Sequence, residues 1–274
     1  MPVTRRGLTV LAATLAVLLG TAIPAHAAPG PPPGSIASMG DSITRGFNAC
    51  GWFVDCPSRS FSTGSTSAVN SHYLRIRAKN PAVVAYNDAR SGAKVADMPG
   101  QAATVVSQHV AYVTILIGAN DACTSSESSM TSVAAFRGSL DSALGTLKAG
   151  LPDAKVLLIS MPDLKRLWQV GKDSSGARTA WGLFGICQSM LANPTSTAAA
   201  DTARRDRVRQ RVIDFNGQLA AACAAYGANC KYDGGAVFGY AFQLSQISTW
   251  DYFHPNASGQ TVLASVTYAA GYGW

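Results

Sequence analysis

Short apolar runs separated by helix-period stretches constrain this chain more than any other feature. Ser35–Met39, Ala82–Tyr86, Ala111–Ile117 and Lys155–Ser160 are each about one strand long, and the last two are almost continuously apolar. A strand of that kind has no face to offer water, so the sheet it joins must be covered on both sides. Helices are expected between the runs, at Val69–Lys79, Asp97–Gln108 and Thr131–Gly150. In the last of these, Val133, Phe136, Leu140, Leu144 and Leu147 recur along one stripe. Val208, Val212, Phe215 and Leu219 form another stripe, and Asn256–Gly271 reads as a closing helix. An irregular insertion is expected at about 163–200, and loop with a short strand at 234–250. Strand–helix alternation around buried strands predicts an α/β fold: a mainly parallel sheet in a three-layer α/β/α sandwich. With 47% apolar and only 14% charged residues, the chain can fill such a core and is neither a coiled coil nor a disordered segment.

The first residues read as an address. Arg5 and Arg6 precede an apolar run, Leu8–Gly20, which at about a dozen residues is too short for a membrane span. Ala25-His26-Ala27 then supplies a small-x-small cleavage pattern. Residues 1–27 are expected to be a signal peptide and 28–274 a single domain, secreted to the extracellular side with no stable membrane anchor. Thr4-Arg5-Arg6 matches a twin-arginine signal only in part, which leaves the export route open.

The six cysteines all lie beyond residue 27. In an oxidising destination an even set of thiols is expected to pair, and six allow 15 pairings. Cys50 and Cys56 are close in sequence, as are Cys223 and Cys230, which leaves Cys123 with Cys187. A metal cluster is not expected: there is no C-x-x-C, and only His72, His109 and His254 remain beyond the leader. No cofactor is expected either. His72, inside an expected helix, and His109, opening an expected strand, read as structural. The formal charge is +7, but apart from Arg204–Arg211 the basic residues are scattered. That run reads as a solvated helix face, the alternative being a patch for anionic lipid or polysaccharide, and no nucleic-acid partner is expected. Glu127 is the one glutamate, which excludes a Glu-based glycosidase pair.

Four polar motifs carry the chemistry. Gly40-Asp41-Ser42-Ile43-Thr44 follows the first strand, Arg90-Ser91-Gly92-Ala93 the second, and Gly118-Ala119-Asn120-Asp121 the third. Asp251-Tyr252-Phe253-His254-Pro255 precedes the last helix. In open α/β sheets the loops at the carboxyl ends of the strands meet along one edge, where sites form. These are the parts of an acyl-transfer site. Serine needs a base to take its proton, and His254, held in one tautomer by Asp251, is suited to that for Ser42. The oxyanion of a tetrahedral intermediate needs fixed donors, which the Ser42 and Gly92 N–H groups and the Asn120 amide would supply. No G-x-S-x-G, H-E-x-x-H, G-x-G-x-x-G or Walker A motif competes.

The set resembles the GDSL, or SGNH, hydrolases, whose blocks carry Ser, Gly, Asn and His in the order Ser42, Gly92, Asn120, His254, with Asp251 three residues before the histidine. The resemblance runs from about Ser35 to Gly271 and is nearest to the secreted, three-disulfide bacterial lipases, esterases and phospholipases. It departs from the pattern in the first block, which ends Ile43-Thr44 rather than in leucine. It implies a flavodoxin-like α/β/α sandwich and metal-independent hydrolysis of carboxylic esters; separately, the protein is expected to be a monomer. The expected substrate is a small-molecule or lipid ester; the alternatives are acetyl groups on a polysaccharide or a non-catalytic polysaccharide-binding module. Trp52, Phe53, Trp168, Trp181 and Phe184 suit an acyl groove, a sugar platform or simple packing, and composition does not choose among these.

Overall fold

The structure, a computed structural model, describes residues 1–3 and 30–274. Apart from its first three residues the expected leader, with its cleavage site, lies outside them. In chain order the elements are β1 (Ser35–Gly40), α1 (His72–Arg77), β2 (Val84–Asn87), α2 (Met98–Ser107), β3 (Tyr112–Leu116), α3 (Ala119–Ala122), α4 (Val133–Gly150), β4 (Lys155–Ile159), α5 (Leu164–Gly171), α6 (Ser175–Leu183), α7 (Gln188–Leu191), α8 (Ala199–Tyr226), β5 (Cys230–Tyr232), α9 (Ala236–Gly239) and α10 (Ala257–Ala270).

The five strands are all parallel, in the order β2-β1-β3-β4-β5. Alternate side chains of the central strands feed two separate cores. Val113, Ile115, Val156 and Leu158 join the core under α2, α4 and α8, with Val105, Leu140 and Val212. Tyr112, Leu116, Leu157 and Ile159 join the other, under α1 and α10, with Ile76, Leu263 and Ala264. This is the covered parallel sheet that the uninterrupted apolar strands require. Phe136 of α4 stacks on Phe215 of α8, 4.1 Å between centroids, so the two expected stripes meet. Side-chain caps start the helices: Ser71 accepts from the Leu74 N–H, Ser132 from Ala135 and Asn256 from Gly259.

Several expectations need correction. The 163–200 segment is not irregular: it holds α5, α6 and α7. Asp163 and Ser174 cap the first two, and the close seat of Trp181 on Gly171, where a Cβ would stand 2.4 Å from the ring, lets them pack. These helices are too short and glycine-broken for a periodicity reading. Strand β5 was not expected; three residues long and half-buried, it carries almost no pattern. The 234–250 stretch contains α9, and its β contact is a single antiparallel bridge, Ile247 to Pro255. His109 does not open a strand but sits exposed in the turn after α2, at φ 52°. The Arg204–Arg211 run is not a freely solvated face. Arg205 is buried over the Trp168 ring and donates to the Ser196 carbonyl, Arg207 pairs with Glu127, Arg209 with Asp163, and Arg211 reaches the Thr131 carbonyl. Cys50 is bonded to Cys56, Cys123 to Cys187 and Cys223 to Cys230.

Among the described residues no helix is long and apolar enough to cross a membrane, and no group of three or more His, Cys, Asp or Glu is placed to hold a metal ion.

Candidate active site

The strand order reverses between β1 and β3, so the crevice for a ligand opens beyond their carboxyl ends. Both strands end in glycine-dependent turns there. At Gly40, φ 148°, an added Cβ would stand 2.2 Å from the Leu116 carbonyl of β3. At Gly118, φ 117°, it would stand 2.4 Å from the Met161 sulfur. Neither position admits a side chain, and the tight turns deliver Ser42 and Asn120 to the same crevice.

The Ser42 turn is held from three sides. The Gln101 side chain of α2 clamps Gly40, accepting from its N–H at 2.8 Å and donating to its carbonyl at 2.9 Å. Gln260 of α10 donates to the Ile43 carbonyl at 2.8 Å. The Ser42 carbonyl accepts from the Phe47 N–H at 2.9 Å. No hydrogen bond from the N–H of Ser42 or of Gly92 is found among the described residues, so both are free to donate to a ligand.

His254 comes to Ser42 across 212 residues of sequence. Its Nε2 lies 2.8 Å from Ser42 Oγ, and its Nδ1 lies 2.5 Å from Asp251 Oδ2. A carboxylate beside Nδ1 makes that nitrogen the donor and leaves Nε2 to accept the serine proton. Asp251 is buried and doubly anchored. Its Oδ1 accepts from the N–H groups of Phe253 (2.9 Å) and His254 (3.1 Å), and its Oδ2 also accepts from Asn48 Nδ2 at 2.6 Å. Burial pushes its pKa up, but the hydrogen bond and charge of His254, with the two backbone donors, outweigh it and leave the carboxyl below its ordinary value. The rings of Phe47 and Phe253, 4.8 Å and 5.0 Å from the imidazole centroid, restrict the rotation of His254.

Asn120 Nδ2 donates to the Ala93 carbonyl at 2.9 Å, which ties the third motif to the second. Asp121 ties the same loops from below, accepting from the Val95 N–H at 2.9 Å and the Thr131 hydroxyl at 2.7 Å. The structure thus brings Ser42, Asp251 and His254 into one hydrogen-bonded row, with Gly92 and Asn120 joined through Ala93 at the crevice. Cys123, the residue after α3, and its bonded partner Cys187 line a hollow that Asn120, Asp251 and His254 also border.

Two residues of the site were not read from the sequence. Asn48 holds Asp251, yet it stands alone in a loop at φ 58°, with no motif to mark it. Asp41 looked like part of a turn, but it is fully buried. Its Oδ1 accepts from the Ile43 N–H at 2.9 Å, while its Oδ2 has no partner among the described residues. Burial pushes its pKa up to about 7, with the Ile43 N–H and His254 pulling the other way. Of the aromatics, Trp181 is buried, its indole donating to the Tyr252 carbonyl at 2.9 Å, and Trp168 donates to the Pro194 carbonyl. Both support the insertion. Phe53 and Phe184 instead border a hollow beside His254 and Asn120. A separate narrow apolar slot adjoins the row, lined by Ile43, Ala119, Leu164, Leu167, Phe253 and Pro255. His72 lies away from the crevice, buried between Tyr112 and Thr267, and burial lowers its pKa to about 3.

Comparison with known proteins matches residues 36–266 to the family described as GDSL-like lipase/acylhydrolase. The chain belongs to that family. No curated protein matches it. Among solved structures it resembles an extracellular lipase from Streptomyces rimosus (20% identity, 86% of this chain and 99% of that chain covered, TM-score 0.52). It also resembles a phospholipase A1 from Streptomyces albidoflavus NA297 (17%, 87% and 100%, 0.52). A catalytic mutant of an acetylxylan esterase from Geobacillus stearothermophilus is similar too (16%, 86% and 93%, 0.55). At these identities the likeness is one of fold: the three-layer α/β sandwich of the SGNH hydrolases.

Proposed function

We propose that this member of the GDSL-like family is an exported serine hydrolase that cleaves carboxylic esters through an acyl-enzyme on Ser42. The observation that carries the reading is the hydrogen-bonded row Ser42–His254–Asp251 at the switch point of the sheet. His254 Nε2 takes the Ser42 proton as Oγ attacks the ester carbonyl. The Ser42 and Gly92 N–H groups and Asn120 Nδ2 receive the oxyanion. The imidazolium, stabilised by Asp251, then gives its proton to the departing alcohol, and water repeats the sequence to release the acid. None of these steps requires a metal or cofactor.

The narrow apolar slot favours an acyl chain of several carbons over an acetyl group, since the one charged group in its lining, Asp163, is already engaged by the Lys165 N–H and Arg209 and little else there can bond a sugar hydroxyl. We place the enzyme outside the cytosol because its leader pattern and three disulfides suit an oxidising destination. The test is turnover of p-nitrophenyl esters from acetate to decanoate, beside an acetylated xylan, by wild type and Ser42→Ala. The expected result is a maximum at intermediate chain length and a loss of several orders of magnitude in Ser42→Ala. Residual activity above about a tenth of wild type would reject Ser42 as nucleophile; a preference for acetylated xylan would move the substrate to polysaccharide acetyl groups.

A further inference from the structure

Exposed apolar side chains are concentrated around the mouth of the candidate site. Trp52, Phe53 and Val54 come from the loop closed by the Cys50–Cys56 bond, Leu183 and Phe184 from the end of α6, and Trp250 from the loop before Asp251. Leu183 is 74% exposed, Trp52 61% and Trp250 50%. The rings form a continuous rim: Trp250 lies 6.4 Å from Trp52, Trp52 5.5 Å from Phe53, and Phe53 5.2 Å from Phe184. Phe47 joins Phe53 to His254, so the rim runs up to the proposed base. Contiguous exposed apolar surface at a site mouth marks contact with something apolar.

We propose that this rim docks the enzyme on an anionic phospholipid surface and presents ester substrate to Ser42 from that surface; the inference rests on the ester-hydrolase reading above. Three observations choose a lipid surface over a polysaccharide. First, the rings are not coplanar: Trp52 and Phe53 meet at 83°, Phe53 and Phe184 at 69°. Sugar rings stack on a flat platform, whereas edge-to-face rings fill an acyl layer equally well at any angle. Second, the most exposed member is aliphatic, Leu183, and Val54 is another; neither stacks on a sugar, and both lose water on entering hydrocarbon. Third, the neighbouring loop carries Arg90 and Lys94, exposed cations with no acid partner among the described residues. That loop is joined to the rim through the hydrogen bond from Ser91 to Asp55. Asp55 itself is paired with Arg45, and Asp97, held on the Lys94 N–H, offsets one of the two loop cations, so a single positive charge is left in excess beside the rim to complement lipid phosphates. Trp and Phe beside basic residues suit the boundary between headgroups and acyl chains.

The test uses protein recovered from the culture medium. Ser42→Ala, which leaves the lipid intact, is floated with vesicles of phosphatidylcholine and phosphatidylglycerol and with phosphatidylcholine alone. It is expected to float with the mixed vesicles, with a blue shift in tryptophan emission as Trp52 and Trp250 leave water. Adding Trp52→Ser, Leu183→Ser and Trp250→Ser should lower the bound fraction at least tenfold, and Leu183→Ser alone should lower it measurably. Arg90→Gln with Lys94→Gln should abolish the preference for the anionic vesicles. With Ser42 intact, the triple serine variant should still turn over p-nitrophenyl acetate in solution at the wild-type rate. Undiminished vesicle binding by the triple variant would overturn the proposal. So would failure of Ser42→Ala to float, and co-sedimentation with insoluble acetylated xylan in its place would reassign the rim to polysaccharide. If wild type lacked activity on soluble esters, the hydrolase reading would fail independently of where the rim docks.

Discussion

Asp41 sits under the Ser42 turn with a carboxyl oxygen that has no partner, in a place that water does not reach. Its pKa rises from 3.8 to about 7, chiefly through burial. A raised value means that the folded state prefers the neutral acid. Below pH 3.8 the group is protonated whether the chain is folded or not, and it contributes no pH dependence. Between about 4 and 7 the unfolded chain has released the proton and the folded one has kept it, so stability falls as pH rises. Above about 7 the loss levels off. The interval between the two values corresponds to a total loss on the order of 4 kcal/mol, at about 1.4 kcal/mol per pH unit. Asp41→Asn keeps an oxygen for the Ile43 N–H and removes the ionisation. Urea unfolding of wild type and Asp41→Asn at pH 4, 5, 6, 7 and 8 measures the difference directly. The variant should gain on wild type steadily from pH 4 to 7 and hold that gain at pH 8. Subtracting the two profiles cancels carboxyls that do not feel the Asp41 charge, such as Asp251, lowered by His254; Asp121, also raised by burial, repels Asp41 and adds a smaller change of its own to the difference. Parallel profiles would refute the reasoning and mean that Asp41 is charged in the fold, with water or a rearranged donor at its second oxygen.

Asn48→Ala removes the Asn48 hydrogen bond to the Asp251 carboxylate and puts alanine in a left-handed conformation; a tenfold to hundredfold fall in kcat with little change in KM is expected, since a bond to a charged group contributes about 1.5–3 kcal/mol. A silent Asn48→Ala would mean that the two backbone donors suffice to orient Asp251. Asp251→Asn should lower kcat by several orders of magnitude by allowing the wrong imidazole tautomer, read in steady-state turnover beside an unchanged circular dichroism spectrum. Cys123→Ser with Cys187→Ser opens the largest loop, a sequence separation of 64; the chain-entropy relation gives a loss of about 4 kcal/mol, visible as a lowered Tm. Activity should fall before the fold melts, because Cys123 directly follows the helix that carries Asn120. Gly40→Ala should prevent folding, with its Cβ driven into the Leu116 carbonyl, whereas Gly92→Ala meets no atom within 4 Å and should fold with a modest Tm loss from its φ of 82°.

The local pattern determined the sheet and the order of the site's parts. Ala111–Ile117 and Lys155–Ser160 are almost continuously apolar and about one strand long, and such segments fit strands covered on both faces. The motifs at Ser42, Gly92, Asn120 and His254 were legible because each needs only neighbours in sequence: a strand, a turn that glycine permits, a carboxylate three residues before an imidazole. Only the tertiary structure decided what depends on groups far apart in the chain. Asn48 reaches Asp251 across 203 residues, and its local sequence is that of any loop asparagine. Arg205 belongs to a basic run that reads as solvated, and becomes buried only because Trp168 and the Ser196 carbonyl arrive over it. Asp41 is an ordinary turn residue until the Ser42 turn and the helices around it close over its side chain. The five aromatics are alike in composition, yet Trp168 finds a carbonyl inside the insertion and Trp181 one in the loop that carries Asp251, while Trp52, Phe53 and Phe184 are left at the mouth. Backbone periodicity is written residue by residue, because each residue's own faces and torsions determine it. Burial, charge state and partnership belong to the space between elements, and are settled only when distant segments meet.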